Sequence, residues 1–390
     1  MKIAIILEAS DLINRKGYLN AVHNRILHLV KFDKLMVDVY VLHSYNVGGF
    51  RAIKGKTVIP QENSTVIDGI VYNILPYPCT LIDYIVKVRM GKSPYLQNIY
   101  INRYVDKFRI YKLIITHSTG STVFGQKVKD KFGIPYIANW HGSDIHSEPL
   151  ASKHKYNVKL SLVKGALHNV YVSEALMEKS FELFGKHKAS VIYNGVSNDF
   201  YPLPMTQKKQ LIQKFKCENK KVIAFVGGLL AIKNIFSLPE IFSKINQETN
   251  DCVFWIIGDG KYREELKNRL DNTGIEYVMH GNILPSKMNG IYNCIDLLIL
   301  PSLNEGLPLV VVEALKCGCN VVGSNVGGIS EAIGIENVFD LGDHFEENIA
   351  LRANALLKNN QKQILQGVFD WEKSAELEYD MICNHVKCQK

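Results

Sequence analysis

The sequence predicts an α/β protein made of two doubly wound domains. Apolar strand-like runs alternate with segments of helical period along the chain, which is the pattern of parallel α/β architecture. The strand-like runs are almost continuously apolar, as expected of strands that helices cover on both faces of a sheet. The chain has 390 residues, more than one hydrophobic core usually serves, so two domains are expected.

The strands are expected at regular places along both halves of the chain. The first half carries strand-like runs at residues 2–10, 37–44, 71–77, 112–118, 135–142, 169–175 and 190–195. The second half carries them at residues 221–228, 252–260, 277–281, 297–302, 320–325 and 338–341. Segments of helical length separate most of them, and the chain after Phe339 is expected to be helical to its end.

The boundary between the domains is expected within residues 199–210, DFYPLPMTQKKQ. Two prolines and a polar, lysine-rich stretch interrupt the alternation there. We predict one domain over residues 1–200, a second over residues 201–365, and a C-terminal helix over residues 366–390 that packs back on the first domain. Two such domains facing each other would leave a cleft at the carboxyl ends of their strands, where α/β sheets bind ligands.

The net charge of +8 is unevenly distributed. Residues 1–200 carry 26 Lys and Arg against 15 Asp and Glu, and residues 201–390 carry 20 against 23, so the two halves have net charges of +11 and −3. A basic half favours anionic partners such as a membrane surface or a phosphorylated substrate, and a solvated lysine-rich surface explains it equally well. Nucleic acid is not an expected partner, because no recognisable binding module accompanies the basic residues.

Composition points to a globular protein of a reducing compartment. No run reaches the roughly 18 uncharged apolar residues that a membrane span needs, and the N-terminal apolar run is too short for a signal peptide. The eight cysteines show no CxxC spacing, and several lie in strand-like runs. We expect reduced, buried thiols in a cytoplasmic protein, with structural zinc or disulfides as the less favoured alternative.

Two glycine-containing turns follow strands of the second half. AFVGGLLAIKNI places Gly227 and Gly228 after a strand and Lys233 at the expected start of a helix. Glycines let backbone approach a ligand closely, and a helix N-terminus beside a lysine suits a diphosphate. WIIGDGKY repeats the pattern at residues 258–260. An ordinary strand-to-helix turn explains either motif about as well.

The stretch PSLNEGLPLVVVEALKCG, residues 301–318, is more specific. Glu305 lies in a loop at the carboxyl end of a strand, and Glu313 lies two helical turns further on among apolar residues. Burying a carboxylate there is costly unless a partner meets it. Glu305 could merely favour the dipole of the following helix, and Glu313 could pair with a lysine or a backbone donor. Both carboxylates accompany Gly306 and Pro308 at a loop that is expected to face the cleft, which favours a binding site.

The motifs together resemble the retaining family 4 glycosyltransferases, whose fold is named GT-B. EGLPLVVVEAL resembles the E-x7-E motif of that family, and VIYNGVSNDFYP resembles its interdomain segment. IPYIANWHGSDI resembles its HGSD-type loop, and YVSEAL, IIGDG and SNVGGISEAI resemble further family signatures. The resemblance covers residues 110–335 in the family's order. The first hundred residues match only in their opening strand, turn and helix.

The resemblance implies the transfer of a hexose from a nucleotide-diphosphate sugar, and a UDP-sugar is the favoured donor. It also implies that each of the two substrates binds to its own domain. It makes residues 1–200 the acceptor-binding domain and residues 201–365 the nucleotide-sugar domain. Glu313 would bind the ribose hydroxyls, Glu305 the donor sugar, and Lys233 the diphosphate leaving group. The further implied donor-binding residues are Gly227, Gly228, Gly258, Asp259, Gly260, Ile283, Gly306 and Leu307.

The resemblance places the acceptor side in the first domain. His141 would lie near the sugar and the acceptor hydroxyl, and it joins Glu305 and Lys233 as an expected catalytic residue. Asp144 would orient a neighbouring group or cap the backbone rather than react. Gly17, with Lys16 beside it in the first turn, would let the backbone come close to the diphosphate or the acceptor. A lone histidine at a strand end is more often structural, but the neighbouring HGSD residues favour the functional interpretation of His141.

Two departures bear on the expected mechanism. The sequence contains no Asp-x-Asp, the usual carboxylate motif for a metal-bound diphosphate, so no metal or other cofactor is expected. Lysine and helix-dipole neutralisation would replace a metal. The family usually has an arginine where this chain has Gly228, and the loss of one cation would weaken donor binding by about 1–3 kcal/mol. Arg15 or Lys16 of the basic domain could compensate.

The expected biological role is surface polysaccharide or glycolipid biosynthesis, with a glycan or lipid-linked acceptor. Residues 79–112 are rich in Tyr, Ile, Lys and Arg, so a peripheral position on the inner membrane face is expected, with helices packed in the domain as the equal alternative. Two other functions stay open. One is a nucleotide-sugar epimerase on the same fold, and the other is a non-catalytic nucleotide-sugar-binding protein.

Overall fold

The fold of the chain consists of two units. The computed structural model describes residues 1–9, 12, 17–47, 62–89, 95–249, 251–359, 362–365 and 369–386. The first unit comprises Met1–Asn194 with Trp371–Lys390, and the second comprises Gly195–Asp370.

The first unit contains an eight-stranded sheet. Its order is β3-β4-β2-β1-β5-β6-β7-β8, and every pair is parallel except β3 with β4. The strands are β1 Lys2–Glu8, β2 Met36–Asn46, β3 Ser64–Ile67, β4 Ile70–Cys79, β5 Leu113–His117, β6 Tyr136–Trp140, β7 His168–Tyr171 and β8 Ala189–Val191.

The helices of the first unit connect these strands. They are α1 Tyr18–Leu29, α2 Leu81–Arg89, α3 Tyr95–Val105, α4 Thr119–Phe132, α5 Ser143–His146, α6 Lys153–Gly165 and α7 Glu174–Phe184, with short 3-10 turns at Asp106–Ile110 and Pro149–Ala151. Strands β5 and β6 are buried along their whole length, which is why both are mostly apolar.

The second unit contains a six-stranded, fully parallel sheet. Its order is β11-β10-β9-β12-β13-β14, the strand order of a dinucleotide-binding Rossmann fold. The strands are β9 Lys221–Val226, β10 Cys252–Ile257, β11 Tyr277–Gly281, β12 Leu297–Leu300, β13 Asn320–Ser324 and β14 Val338–Phe339.

The helices of the second unit again alternate with strands. They are α8 Met205–Lys214, α9 Leu238–Glu248, α10 Arg263–Asp271, α11 Pro285–Cys294, α12 Leu309–Lys316, α13 Ile329–Ile333 and α14 Phe345–Asn359, with 3-10 turns at Ala231–Lys233, Ile235–Ser237 and Ile335–Asn337. The central strands β10 and β12 are buried throughout.

The last helix, α15 Trp371–Val386, belongs to the first unit and packs against α1. Phe32, just beyond α1, stacks on Tyr379 with ring centroids 4.4 Å apart. A buried ion pair also joins the two helices: Arg25 Nε donates to Glu378 Oε2 over 3.2 Å, and Arg25 Nη2 lies 3.1 Å from the same oxygen. Both side chains are about 2% exposed. The C-terminal helix is therefore fixed to the first unit by apolar and ionic contacts.

Two features of the fold were not predicted. Strand β3 pairs with β4 through a turn at Asp68 and Gly69, both with positive φ, as a type I′ hairpin requires. Four residues of β3 are too few to give a periodic signal, although the Asp-Gly pair was visible. The chain after Phe339 is not helical to its end, since residues 362–365 and 369–370 separate α14 from α15 as irregular backbone.

Two further observations concern the described residues alone. None of their helices combines the length and the apolar character that crossing a membrane requires. Seven cysteines are free thiols, and five of them are buried: Cys217, Cys252, Cys294, Cys317 and Cys319.

Candidate functional site

The sheet of the second unit has its topological switch point between β9 and β12. The strand order reverses there, so the loops that follow the two strands diverge and leave a crevice at the carboxyl edge of the sheet. The loop after β9 contains Gly227 and Gly228, and the loop after β12 contains Glu305 and Gly306. The fold thus brings together the two motifs that the sequence singled out.

A short hydrogen-bond network joins the two loops. Lys233 Nζ donates to Glu305 Oε1 over 2.6 Å, and Ser302 Oγ donates to the same oxygen over 2.7 Å. Ser302 is itself fixed, because its carbonyl accepts a hydrogen bond from Ser324 Oγ. The Lys233 side chain is 26% exposed and that of Glu305 is 10% exposed. The pair is therefore held in place and reachable by a ligand.

The local structure at Lys233 differs from the expectation. The sequence predicted that Lys233 opens a helix, but it ends the 3-10 turn Ala231–Lys233, and Asn234 follows with φ of 49°. The α-helix α9 begins only at Leu238. Pro239 lies in the first turn of α9, where a missing N–H costs nothing. Lys233 therefore stands on a tight turn that directs it toward the β12 loop.

Gly258 and Gly260 allow the backbones of two neighbouring loops to come into direct contact. A Cβ atom at Gly258, whose φ is 127°, would lie 1.9 Å from the carbonyl oxygen of Gly227, and one at Gly260 would lie 2.5 Å from that of Leu229. Leu229 N–H donates to the Asp259 carbonyl over 3.1 Å. The loops after β9 and β10 are thus locked together by direct backbone contact.

Gly228 differs from these glycines. A Cβ atom there would meet only ordinary van der Waals neighbours, the nearest being Leu230 Cδ1 at 3.7 Å. A side chain therefore fits at position 228, where the resemblance leads us to expect an arginine. The proposed substitutes Arg15 and Lys16 lie outside the described residues.

Glu313 faces a tyrosine that the sequence did not single out. Tyr292 Oη, buried on α11, donates to Glu313 Oε2 over 2.9 Å. Burial raises the pKa of Glu313 to about 7, and the hydrogen bond from Tyr292 opposes that rise in part. Neither alternative considered from the sequence, a lysine or a backbone donor, is the partner found. Glu313 remains partly exposed, so its other oxygen can accept hydroxyl groups.

The raised pKa of Glu313 predicts a pH-dependent affinity for nucleosides. A carboxylate accepts ribose hydroxyls better than a carboxylic acid does, so the ribose-binding role that the resemblance implies for Glu313 would favour the ionised form. With a pKa of about 7 in the free protein, the ionised fraction rises about tenfold between pH 6 and pH 8. We expect uridine, which carries no titrating phosphate, to bind about tenfold more tightly at pH 8 than at pH 6 in calorimetric titrations. Glu313→Gln should flatten this dependence, and an equally steep slope in that variant would contradict the prediction.

The other predicted donor-side residues lie in loops at the carboxyl edge of the same sheet. Asp259 caps its own loop, since Gly260 N–H donates to Asp259 Oδ1 over 2.7 Å. Ile283 is half-buried in the loop between β11 and α11, and Gly306 and Leu307 are buried at the start of α12. Arg263, which the sequence did not single out, lies 4.0 Å from Asp259 through Nη1. It adds a cation at this edge of the sheet.

In the first unit, Asp144 caps the backbone of the HGSD turn. Its carboxylate accepts from His141 N–H at 3.1 Å and from Gly142 N–H at 2.9 Å. Gly142 has φ of 141°, a conformation that favours glycine. The Asp144 carboxylate therefore caps the backbone of the turn that contains His141.

His141 lies in a polar cluster at the carboxyl edge of the first sheet. Its Nε2 is 3.1 Å from His117 Nδ1, and the Tyr18 ring lies 5.6 Å away between centroids. Burial, and to a smaller extent the positive charge of Arg25, lowers the pKa of His141 to about 3. His141 is therefore neutral at physiological pH.

The remaining acceptor-side predictions concern the first helix. Gly17 precedes α1 with φ of 54°, and a Cβ atom there would meet nothing within 4 Å. The backbone conformation, not crowding, accounts for this glycine. Lys16 lies outside the described residues, so its predicted role stays a prediction.

The structure brings the candidate residues together in two groups. Glu305, Lys233 and the glycine loops form one group in the second unit, and His141 with Asp144 forms another in the first. Across the part of the chain that the structure describes, no group of three or more His, Cys, Asp and Glu residues is arranged to hold a metal ion. Sequence reasoning gave no role to Tyr292, Ser302 or His117. Ser302 lies within the stretch 301–318 that was singled out, whereas Tyr292 and His117 carry no motif of their own.

Comparison with known proteins gives a family for part of the chain. Residues 207–366 match the family described as Glycosyl transferases group 1. A putative teichuronic acid biosynthesis glycosyltransferase, TuaC of Bacillus subtilis, is 28% identical over 53% of this chain and 51% of its own length. A UDP-Gal:alpha-D-GlcNAc-diphosphoundecaprenol alpha-1,3-galactosyltransferase of Escherichia coli is 28% identical over 65% of this chain and 68% of its own length. The alignments with the first three curated relatives span 51% to 60% of those proteins.

Solved structures match the whole chain. Anabaena Alr3699/HepE in complex with UDP and glucose has a TM-score of 0.73 at 18% identity, covering 98% of this chain and all of that one. Sucrose-phosphate synthase from Thermosynechococcus elongatus has a TM-score of 0.74 at 16% identity and covers both chains completely. At these identities the likeness concerns the fold, and it confirms the predicted α/β fold with two Rossmann-like units, the GT-B architecture.

Proposed function

We propose that this chain, whose residues 207–366 form a glycosyl transferases group 1 domain, is a retaining glycosyltransferase that transfers a hexose from a nucleotide-diphosphate sugar. The observation that carries the proposal is the network of Lys233, Glu305 and Ser302 at the switch point of the second sheet. It places a cation and a carboxylate side by side in a glycine-lined crevice, where a diphosphate and a sugar can meet both. The structures of Anabaena Alr3699/HepE with bound UDP, whose fold is similar to that of this chain, support a UDP-sugar as the donor.

The residues at the crevice suit the charges of such a transfer. As the bond between the sugar anomeric carbon and the diphosphate breaks, negative charge grows on the leaving diphosphate, and Lys233 lies where it can neutralise that charge. Glu305 accepts hydrogen bonds from the sugar hydroxyls, while Glu313 accepts them from the ribose. The acceptor oxygen then bonds to the anomeric carbon from the face that the diphosphate leaves. That oxygen passes its proton to the departing diphosphate, so no protein nucleophile is needed.

The acceptor is proposed to be a glycan or a lipid-linked saccharide of surface polysaccharide or glycolipid biosynthesis. Relatives whose names specify teichuronic acid biosynthesis and diphosphoundecaprenol-linked N-acetylglucosamine support this class. His141 and Asp144, on the HGSD turn of the first unit, are the proposed acceptor-side residues.

A thermal-shift panel of nucleotides tests the proposal. A ligand that binds the native state raises the melting temperature, by an amount that grows with its concentration above Kd. We expect UDP and at least one UDP-sugar to raise it, with hexose transfer from that donor to a lipid-linked saccharide detected by mass spectrometry. The panel includes GDP and ADP sugars as comparison. No shift with any nucleotide diphosphate would overturn the proposal.

Metal removal gives a second expected result. Because Lys233 supplies the positive charge that faces the diphosphate, we propose that transfer needs no divalent cation. Transfer in excess EDTA should therefore equal transfer in added Mg²⁺ or Mn²⁺ within about twofold. A loss of activity in EDTA that Mg²⁺ or Mn²⁺ restores would contradict metal independence and leave the transferase proposal standing.

We also propose that the enzyme is cytoplasmic and binds the inner membrane face through α2 and α3. Apolar side chains project from both helices: Leu81, Ile82, Ile85, Ile99 and Tyr100 are 36% to 67% exposed. Cations accompany them, since the Arg103 guanidinium lies 4.7 Å above the Tyr100 ring and Lys107 Nζ lies 5.4 Å above the Tyr104 ring. An apolar face with adjacent cations suits the headgroup region of an anionic bilayer.

Vesicle sedimentation measures this membrane contact. Binding to vesicles with phosphatidylglycerol should exceed binding to neutral vesicles and fall with salt. Ile82→Glu should weaken it about tenfold, because the buried area of one isoleucine is lost. Ile335→Glu, at a residue 68% exposed in the second unit, is the control and should bind as the parent does. Equal binding to neutral and anionic vesicles would contradict the proposal.

A further inference from the structure

The histidine that meets His141 comes from the neighbouring strand. His117 ends β5, and His141 directly follows β6, whose Asn139 pairs in register with His117. The parallel pairing brings both rings to the same edge of the sheet, with His117 Nδ1 3.1 Å from His141 Nε2 and ring centroids 5.3 Å apart. His117 is 1% exposed, so its ring cannot rotate away from this contact into solvent.

The hydrogen bond leaves one nitrogen of His141 without a partner. Its Nδ1 is buried and has no hydrogen-bond partner among the residues that the structure describes. An unpaired buried polar atom is unfavourable, and the backbone of His141 is held by Asp144. The Tyr18 ring also lies close to the His141 ring, with centroids 5.6 Å apart. Nδ1 is therefore held in a fixed position with its hydrogen-bonding capacity unused.

Burial keeps the two imidazole rings neutral, and the positive charge of Arg25 adds to this effect. Burial lowers the pKa of His117 well below its usual range, and His141 and Arg25 contribute further lowering. Arg25 also lowers the pKa of His141. A neutral imidazole carries a single N–H, so the hydrogen bond with His117 decides which nitrogen of His141 bears it. When His117 Nδ1–H donates to His141 Nε2, the N–H of His141 stands at Nδ1 as a donor.

We propose that His117 is a positioning residue for the transfer reaction: it donates to His141 Nε2 and so holds His141 with its Nδ1–H directed at a substrate oxygen. The inference rests on the proposed function in assigning that oxygen to a sugar substrate. His117 itself touches no substrate in this arrangement. It acts through the orientation and the tautomer of the His141 ring.

Two substitutions of His117 separate positioning from mere packing. The amide of asparagine reaches the position of Nδ1, so His117→Asn can still donate to His141 Nε2, whereas His117→Leu fills the space without a donor. We expect His117→Leu to lower kcat at least about tenfold with UDP affinity unchanged, and His117→Asn to recover most of the rate. Equal losses in the two variants, or a parental rate in His117→Leu, would overturn the proposal.

A second histidine pair of the same unit provides the control. His168 Nδ1 lies 3.2 Å from His385 Nε2, and His168 stands at the amino end of β7, at the opposite edge of the sheet from His141. His168→Leu removes a comparable contact and should leave kcat unchanged. A fall in kcat in His168→Leu equal to that in His117→Leu would show a general packing effect and overturn the proposal.

A spectroscopic measurement tests the inference without any turnover. Long-range ¹⁵N–¹H correlation spectra of histidine-labelled protein distinguish Nδ1–H from Nε2–H imidazoles. We expect His141, assigned by its loss in His141→Ala, to be the Nδ1–H tautomer in the parent and a mixture in His117→Leu. An Nε2–H tautomer in the parent would overturn the proposal even if transfer is confirmed. If no donor sugar is used at all, the proposed function fails and the tautomer still decides the positioning by His117.

Discussion

Glu305→Gln is expected to lower the rate of hexose transfer by about 10²–10³-fold, the range for removing one preorganised electrostatic group. In the parent, Ser302 Oγ donates to Glu305 Oε1 over 2.7 Å. The amide oxygen of glutamine can accept the same hydrogen bond, so the loop should keep its structure. The substitution removes the negative charge that Lys233 faces over 2.6 Å. Lys233 is then free to pair with a diphosphate, and the affinity for UDP should stay unchanged or increase. Steady-state rates and UDP titrations measure both effects.

Lys233→Ala should lower both the rate of hexose transfer and the affinity for UDP, because Lys233 is proposed to pair with the diphosphate and to neutralise the charge that grows on it during transfer. It removes the cation that would pair with the diphosphate, and a hydrogen bond to a charged group contributes about 1.5–3 kcal/mol, so UDP affinity should fall by about 10–100-fold. Glu265→Gln is the matched control, because Glu265 pairs with Arg269 at 2.8 Å on the exposed face of α10 and such pairs contribute little. Its rate and affinity should equal those of the parent. Transfer by Glu305→Gln at half the parental rate or more would contradict the role of the pair.

Glu378→Ala is expected to destabilise the first unit by about 3–5 kcal/mol, the usual cost of removing one partner of a buried ion pair. Glu378 and Arg25 are each about 2% exposed, and Arg25 Nη1 has no further hydrogen-bond partner among the described residues. The substitution therefore leaves a guanidinium charge buried without its carboxylate. Thermal and urea unfolding followed by circular dichroism measure the loss.

The double variant Arg25→Met with Glu378→Leu sharpens this prediction. Replacing both charges with apolar groups of similar volume removes the unpaired charge, so it should cost less than Glu378→Ala alone. Glu376→Gln on the same helix is the control, because Glu376 and Lys373 form an exposed pair at 3.4 Å. It should change stability by less than about 0.5 kcal/mol. Equal unfolding midpoints for Glu376→Gln and Glu378→Ala would contradict the importance of the buried pair.

Part of the candidate site could be predicted from the sequence because its residues follow strands directly. Glu305 and Gly227 stand at the carboxyl ends of buried apolar runs, and in parallel α/β sheets these ends form the ligand edge. The position of each residue along the chain therefore indicated its place in the fold. The exception is Lys233, which was predicted to open a helix and instead ends a 3-10 turn. The chain forms two short 3-10 turns after the glycines, and α9 begins only at Leu238.

What the sequence by itself determined was the type and order of the elements: apolar runs buried on both faces had to become strands of two parallel sheets. Only the tertiary structure decided which polar groups meet. Lys233 and Glu305 are 72 residues apart, and Arg25 and Glu378 are 353 apart. Tyr292 meets Glu313 because the neighbouring helices α11 and α12 pack together. His117 meets His141 because β5 and β6 pair in parallel and end at one edge of the sheet. Periodicity is a local property of the chain, whereas such pairings depend on strand order and side-chain direction, which no single segment encodes.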